Sequence, residues 1–273
     1  MRWEVSVVIP VYDGYCWVGS ISDSLDGNLE YIKEVILVND GHKSDYELLL
    51  KELTQCFGDK IVEAQAGFRT GPGNARNIGL DLAKSELIAF LDCDDQWGAE
   101  SLKKRIKLLE KSPHAPFVCS AYQRIYMNDH VTYCYMPNDV SLEMLFVTNC
   151  MLTSSILIRS SAVGRLRFKN IGHEDYDFLL RVLQNANSSA LCLNSFSCKW
   201  IAVNDSVSSQ KSKAAQWHYA ILTDFKVPFL LKILLFSGYV FNAWLKRRTG
   251  RYKPLFLGLD KATKLWFSYR GGK

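Results

Sequence analysis

Three carboxylates close a short apolar run. Residues 87–97 read LIAFLDCDDQW, so Asp92, Asp94 and Asp95 follow directly on a segment with the character of a buried strand. In a parallel sheet, ligands bind beyond the carboxyl ends of the strands. Oxygen ligands clustered there suit a hard divalent cation, Mn²⁺ or Mg²⁺, and through it a polyanion such as a diphosphate. Such a cation stabilises the negative charge that builds on a leaving group. The competing structural reading is an Asp-rich turn that caps the next helix, which explains one of these residues more easily than three.

Two earlier runs share the pattern. Residues 5–9 (VSVVI) are apolar and give way at Pro10, which cannot donate to a ladder, to Tyr12, Asp13 and Gly14. Residues 34–38 (EVILV) end on Asn39 and Asp40 before Gly41. A third short strand is expected over 61–64. Helices are expected from the first turn to about Leu29, through Leu48, Leu49, Leu53 and Phe57, and through Ala75, Ile78, Gly79 and Leu82. The last of these follows a glycine-rich loop carrying Arg69, and its spacing leaves Arg76 and Asn77 off the core face. Strand and helix alternate over the first 97 residues, which predicts a mostly parallel sheet with helices on both faces. The polar strand ends then converge on one crevice.

The middle of the chain has more aromatic and β-branched residues, which predicts mainly antiparallel pairing. A Lys-rich helix over 101–110 precedes strands over 117–126 and 131–135, joined by a turn at Asn128 and Asp129, and a further strand over 153–158. Residues 172–177 (GHEDYD) open an apolar helix running to Leu183, and 204–213 is a polar, Ser-rich lid candidate. Three acids at this helix start could act as a base: Glu174, Asp175 and Asp177. Asp177 has an i,i+4 partner in Arg181 and hence a surface explanation. Asp175 lies three, four and seven residues before Phe178, Leu179 and Val182, so it tops the apolar stripe, where desolvation would raise its basicity. Its alternative role is to interact with the helix N-terminus, which also favours acids.

At 273 residues and 48% apolar, the chain can hold one large domain. Its eight cysteines include no C-x-x-C pair and no zinc spacing, and they fit small buried residues in a reducing compartment. The five histidines show no metal spacing; His173, beside the candidate base, is the one of interest. No secretory signal is expected at the N-terminus. The net charge of +5 is unevenly spread: from Asp224 onward there are 11 Lys and Arg against 2 acids, and before it 22 against 26. Residues 225–245 are strongly apolar and are followed by Lys246, Arg247, Arg248, Arg251 and Lys253. An interfacial helix on an anionic membrane fits this pattern. The alternatives are a spanning helix, for which the uninterrupted run is short, and a core helix with a solvated basic face. Nucleic acid is not an expected partner, because no recognised binding fold surrounds the basic tail. The chain has neither G-x-x-x-x-G-K-[ST] in its first loop nor G-x-G-x-x-G after a strand, which counts against P-loop ATPases and dinucleotide enzymes.

The segments VSVVIPVYDG, VILVNDG, GPGNARNIGLDLAKSELIAFLDCDD and GHEDYDF occur in an order and spacing that resembles family 2 inverting glycosyltransferases of the GT-A fold, including those of bacterial O-antigen and capsular polysaccharide pathways. The resemblance spans roughly residues 4–185. It implies a GT-A, Rossmann-like α/β fold that moves a sugar from a nucleotide-sugar donor, with UDP expected, to a saccharide acceptor, here expected to be lipid-linked. It further implies that Asp40 reads the nucleobase, that Tyr12, beside Pro10, lies against the base, and that Arg76 lies near the nucleotide. Asp92, Asp94 and Asp95 fall on the family's D-x-D, with Asp94 and Asp95 nearest the metal. The base falls on the Glu174–Asp175 pair, and both the resemblance and the helix argument select Asp175. Trp97, His173 and Glu174 are candidates for contacting the acceptor or supporting those that do. Asn39 stands where relatives often have Asp, and His42 and Lys43 replace a common small Ser, which blurs the nucleotide preference.

The expected organisation is a glycosyltransferase domain over 1–223, with a nucleotide half (1–97) and an acceptor half (98–223), and a basic amphipathic extension over 224–273. The setting would be cytoplasmic and peripheral, at the inner face of the plasma membrane. Two rivals are a non-catalytic sugar-nucleotide or membrane adaptor, against which the intact acids argue, and a nucleotidyltransferase, which would carry a basic Gly-rich first loop.

Overall fold

The computed structural model describes residues 3–12, 15–126, 130–202, 211–249, 251–256 and 258–270. Asp13, Gly14, Asn128, Asp129 and most of the lid candidate (204–210) lie outside the described residues. In chain order the elements are β1 (Val5–Val11), α1 (Val18–Asp26), β2 (Ile32–Asn39), α2 (Lys43–Phe57), β3 (Ile61–Gln65), α3 (Pro72–Leu82), β4 (Leu87–Phe90), β5 (Asp95–Trp97) and α4 (Ser101–Glu110). There follow β6 (Phe117–Tyr126), β7 (Val131–Cys134), β8 (Asp139–Val140), α5 (Leu142–Val147), β9 (Leu157–Arg159), α6 (Ser160–Val163) and α7 (Glu174–Ala186). The chain closes with β10 (Ala190–Ala202), α8 (Lys211–Asp224), α9 (Phe229–Arg248), β11 (Arg251–Tyr252) and α10 (Leu259–Arg270).

The principal sheet runs β11-β7-β6-β9-β4-β1-β2-β3, with β10 joining β6, β5 and β8. Pairing is parallel through β4-β1-β2-β3, as the strand–helix alternation predicts. The strands β1, β2 and β4 are buried on both faces, which is why they read as continuous apolar runs rather than alternating ones. Helix α3 lies so close to β1 that a Cβ at Gly79 would sit 2.2 Å from a methyl of Val8. Only glycine fits there.

Several expectations change. The first strand does not stop at Pro10 but continues to Val11. Val8 turns its backbone toward β4, accepting from Leu91 N–H at 3.0 Å, whereas Val11 accepts from Asp40 N–H on the β2 side at 2.8 Å. Pro10 shares the side of Val8, and pairing with β4 ends at Val8 and Phe90, so its missing N–H breaks no ladder bond. The middle third is only partly antiparallel: β9 pairs so with β4 and β6, and β7 with β6, but β10 runs parallel to β6 and β11 parallel to β7. The strand expected over 153–158 is a 3₁₀ turn, Thr153–Ser155, followed by the short β9. The first residues of the lid candidate's end, Lys211 to Lys213, begin α8. The basic tail does not stand apart from the rest, since β11 adds an edge strand to β7.

Candidate active site

The chain leaves β4 into Asp92 and at once meets the Thr153–Ser155 turn. Asp92 N–H donates to Ser154 Oγ at 3.0 Å, and Ser154 Oγ donates to Oδ2 of Asp95. The Ser154 carbonyl accepts from Trp97 Nε1 at 2.6 Å and from Arg105 at 3.3 Å. Trp97 is therefore buried under the acids with Arg105 4.7 Å from its ring centroid, and it braces the turn from below. Asp95 is also buried, its Oδ1 without a protein partner, whereas Asp92 and Asp94 lie on the open side.

Arg76 links these acids to the helix of the candidate base. Far from projecting outward, as the helix spacing predicts, Arg76 is buried, with Nη2 2.6 Å from Asp92 and Nη1 3.0 Å from Glu174. Burial alone would lower its pKa, but Asp92, Glu174 and Asp175 together raise it, so it is a fixed cation. The approach needs Gly73, where a Cβ would lie 2.9 Å from Glu174 Cγ. Asp81, the alternative partner of Arg76, pairs instead with Arg167.

Helix α7 is entered through His173 in the left-handed region (φ 56°), next to Gly172, whose absent side chain leaves room for the Trp217 ring. This tight entry sets Glu174 and Asp175 in the first turn. Half-buried Asp175 lines a cavity, above the buried Phe178, Leu179 and Val182. Its Oδ2 accepts from Thr153 Oγ1 at 3.0 Å, and its Oδ1 from Tyr176 N–H at 2.7 Å, so it also interacts with the helix start. Burial first, then Asp175, pushes the Glu174 carboxyl up. Asp177 has its partner Arg181 at 2.7 Å and a second, Lys169, at 3.3 Å, but it is fully buried and not a surface residue. His173 lines the same cavity, its ring against Trp217 and its pKa lowered by burial.

On the other side of Asp92 lie the ends of β1 and β2. Asp40 is buried, Oδ1 accepting from Thr70 N–H and Oγ1, each at 2.6 Å, and Oδ2 from Gly71 N–H at 2.9 Å. A carboxylate offers about four acceptor positions, so Asp40 ties down the loop before α3 and keeps one position for another donor. Exposed Tyr12 accepts from Arg69 Nε at 2.8 Å, and the guanidinium lies 5.7 Å from its ring centroid. Pro10 O accepts from the Cys93 thiol. Arg69, Thr153 and Ser154 belong to the site although no motif marks them. Only Arg69 had a faint signal, the glycines at 67, 71 and 73 around it, and the chain turns there through a positive φ.

The donor set fits a divalent cation. Asp94, pushed up to about 6 by burial and then by Asp92, and Asp95, also raised by burial and its two neighbours, crowd negative charge that Arg76 only partly offsets. No ready-made cluster of three His, Cys, Asp or Glu ligands occurs among the described residues. A cation would thus use Asp94, with Asp92 beside it, and take its other ligands from substrate oxygens and water.

Residues 6–169 match the family described as Glycosyl transferase family 2. The chain belongs to this family. A glycosyltransferase described as uncharacterized, from Haemophilus influenzae, is 28% identical over 248 residues, covering 89% of this chain and 97% of its own. The UDP-Glc:alpha-D-GlcNAc-diphosphoundecaprenol beta-1,3-glucosyltransferase WfgD of Escherichia coli is 28% identical over 240 residues, covering 86% and 92%. Among solved structures, S. aureus TarS 1-349 in complex with UDP-GlcNAc aligns with a TM-score of 0.65 at 17% identity, covering 87% of this chain and 71% of that one. The mannosyltransferase PcManGT of Pyrobaculum calidifontis, in complex with GDP-Man and Mn²⁺, aligns with a TM-score of 0.65 at 16% identity, covering 89% and 70%. The fold is thus GT-A, as the motifs imply. This family 2 protein is a glycosyltransferase with relatives in bacterial polysaccharide biosynthesis.

Proposed function

We propose that the protein transfers a sugar with inversion from a UDP-sugar to a lipid-linked saccharide, at the cytoplasmic face of the membrane. The observation that carries this reading is Asp175, lining a cavity with Asp92 and tied to the strand-end acids through the Thr153–Ser155 turn, while its neighbour Glu174 reaches Asp92 through Arg76. Asp40, Tyr12 and Arg69 hold the nucleoside, and Asp92 and Asp94 face the diphosphate. The names of WfgD and of the TarS complex support UDP as the nucleotide, and WfgD also supports a lipid-linked acceptor.

In the reaction, Asp175 takes the proton of an acceptor hydroxyl as its oxygen bonds to the anomeric carbon, and the bond to the β-phosphate oxygen breaks on the opposite face. Asp94 would hold a divalent cation, which would supply positive charge against the departing diphosphate. Arg76 stays charged throughout and holds Asp92 and Glu174 in place. Thr153 orients the Asp175 carboxylate toward the cavity.

The tail supports the membrane setting. Helix α9 has 20 residues, about 30 Å at 1.5 Å each, and by length and mean hydropathy (1.3) could span a bilayer. Its two faces differ, however. Phe229, Ile233, Val240 and Trp244 form one exposed row and Leu230, Leu234 and Phe241 another beside it, each 41–75% exposed. The opposite face is fixed to the protein: Asn242 is buried and bonds Gly238, Tyr252 and Leu255. An apolar face ending in Arg247 and Arg248 suits lying on an anionic leaflet.

The test is a screen of nucleotide-sugar donors, measuring released nucleoside diphosphate with and without Mn²⁺. UDP released only in the presence of a saccharide acceptor and of Mn²⁺ is the expected result. Release from GDP-sugars alone, or undiminished turnover in EDTA, would remove the UDP or the metal from this account.

A further inference from the structure

The cavity that Asp175 lines continues away from the nucleotide side of the site. It has a volume of about 290 Å³, and its lining includes Asp92 and Asp175 but none of Tyr12, Asp40 and Arg69. Its far wall carries three cations: Arg124 from β6, and Lys246 and Arg247 from α9. Arg124 and Lys246 are set against aromatic rings. Arg124 lies 4.0 Å from the Trp200 ring centroid and 4.7 Å from that of Tyr126. Lys246 donates to the Tyr122 hydroxyl at 2.6 Å and lies 5.3–5.8 Å from the rings of Tyr122, Tyr252 and Trp200. Among the described residues, no carboxylate comes within ion-pair distance of any of the three.

Three like charges facing one cavity, two of them half-buried and unpaired, repel one another and lose hydration. The strain shows at Lys246, whose pKa is lowered by burial, with Arg124 and Arg247 adding. A multiply charged anion entering the cavity would offset both costs with charge-assisted hydrogen bonds. The same helix presents its apolar row outward, so an anion in this wall lies between the base and the face suited to lipid.

The geometry points to Arg124, Lys246 and Arg247 as the subsite for the phosphate of an acceptor in which the sugar is carried on a lipid phosphate or diphosphate. The inference rests on the glycosyl transfer proposed above and goes further, naming the residues that select a charged acceptor. A diphosphate could also belong to the donor, but Tyr12, Asp40 and Arg69, the residues proposed to hold the nucleoside, do not line the cavity that the cations line.

The experiment compares two acceptors with the same sugar and alkyl chain, one joined through a diphosphate and one a neutral glycoside. The full chain should show a KM at least about tenfold lower for the diphosphate acceptor, the scale of one charge-assisted contact. In Lys246→Met and Arg247→Gln that KM should rise about tenfold or more, with the KM of the neutral acceptor and of the donor holding, and Lys246→Arg should restore it in part. Direct calorimetry with the alkyl diphosphate alone reads binding without any transfer, so failure here is separable from failure of the proposed reaction. Equal KM for the two acceptors in the unaltered protein overturns the subsite. A rise in donor KM instead assigns the cations to the donor's diphosphate, and an equal loss with both acceptors, alongside a lowered melting temperature, makes them structural.

Discussion

Thr153 Oγ1 donates to Oδ2 of Asp175 across 3.0 Å, while its neighbour Ser154 accepts from the backbone of Asp92. Two successive hydroxyls of one 3₁₀ turn therefore set the spacing between the candidate base and the strand-end acids. Asp175→Asn, nearly isosteric but unable to accept the proton, should cut transfer by about 10²-fold or more and leave UDP-sugar binding in place. Near-normal turnover in that variant, with Glu174→Gln inactive, would move the base by one residue.

Thr153→Val keeps the volume and removes the donor. We expect kcat to fall about tenfold, less than for the base itself, because the carboxylate is misdirected and not lost. Thr153→Ser should recover most of it. A drop in donor affinity with an unchanged kcat would mean that Thr153 serves the nucleotide side.

Asp94 gives a pH signature. Its pKa of about 6 lies above the ordinary carboxylate value, so the folded state holds this proton more tightly than the unfolded chain. Without metal, stability should therefore decline as pH rises from about 4 to about 6 and stay reduced above it. Asp94→Asn lacks this decline, so its melting temperature should match or exceed that of the unaltered protein at pH 7.5 in EDTA. Because the cation replaces the proton, Mn²⁺ binding followed by calorimetry should tighten as pH rises through about 6 and vanish in Asp94→Asn. Equal Mn²⁺ affinity at pH 5 and 7.5 would discount this residue as the ligand.

The first 97 residues were legible because β1, β2 and β4 are buried on both faces and stop at polar turns. The same reading failed at 153–158, where Thr-Ser-Ser-Ile-Leu-Ile has strand composition. Hydroxyls that bond the backbone locally compete with a ladder, and Ser155 Oγ does so to Leu152 O at 2.7 Å. Apolar periodicity says nothing about where a charged residue off the stripe will go, so Arg76 and Asp177 read as outward although both are buried. Likewise the three acids of Asp-Cys-Asp-Asp look equivalent in sequence, whereas one of them, Asp95, turns inward to Ser154.

Arg76→Met leaves Asp92 and Glu174 half-buried and without their shared cation. A loss of about 3–5 kcal/mol in urea unfolding is expected, as for breaking other buried pairs from one side. Glu174→Gln should cost less, since Asp92 keeps its partner. A near-neutral Arg76→Met would show that solvent reaches these carboxylates freely.

Attachment to membranes should depend on the outer face of α9. Trp244→Glu or Phe241→Glu should reduce sedimentation with anionic vesicles, and raised salt should reduce it too, each cation near such a surface contributing about 1 kcal/mol. Sedimentation indifferent to both salt and these substitutions would mean that α9 is not the contact.

Arg76 and Glu174 meet across 98 positions of chain. At ribosomal rates of roughly 5–20 residues per second, the arginine is made about 5–20 seconds before its second partner. During synthesis the nucleotide half therefore exists with one side of its central ion pair empty. The site cannot close until α7 has been added, and a nascent chain stalled before Glu174 would carry all the strand-end acids yet be unable to hold a base beside them.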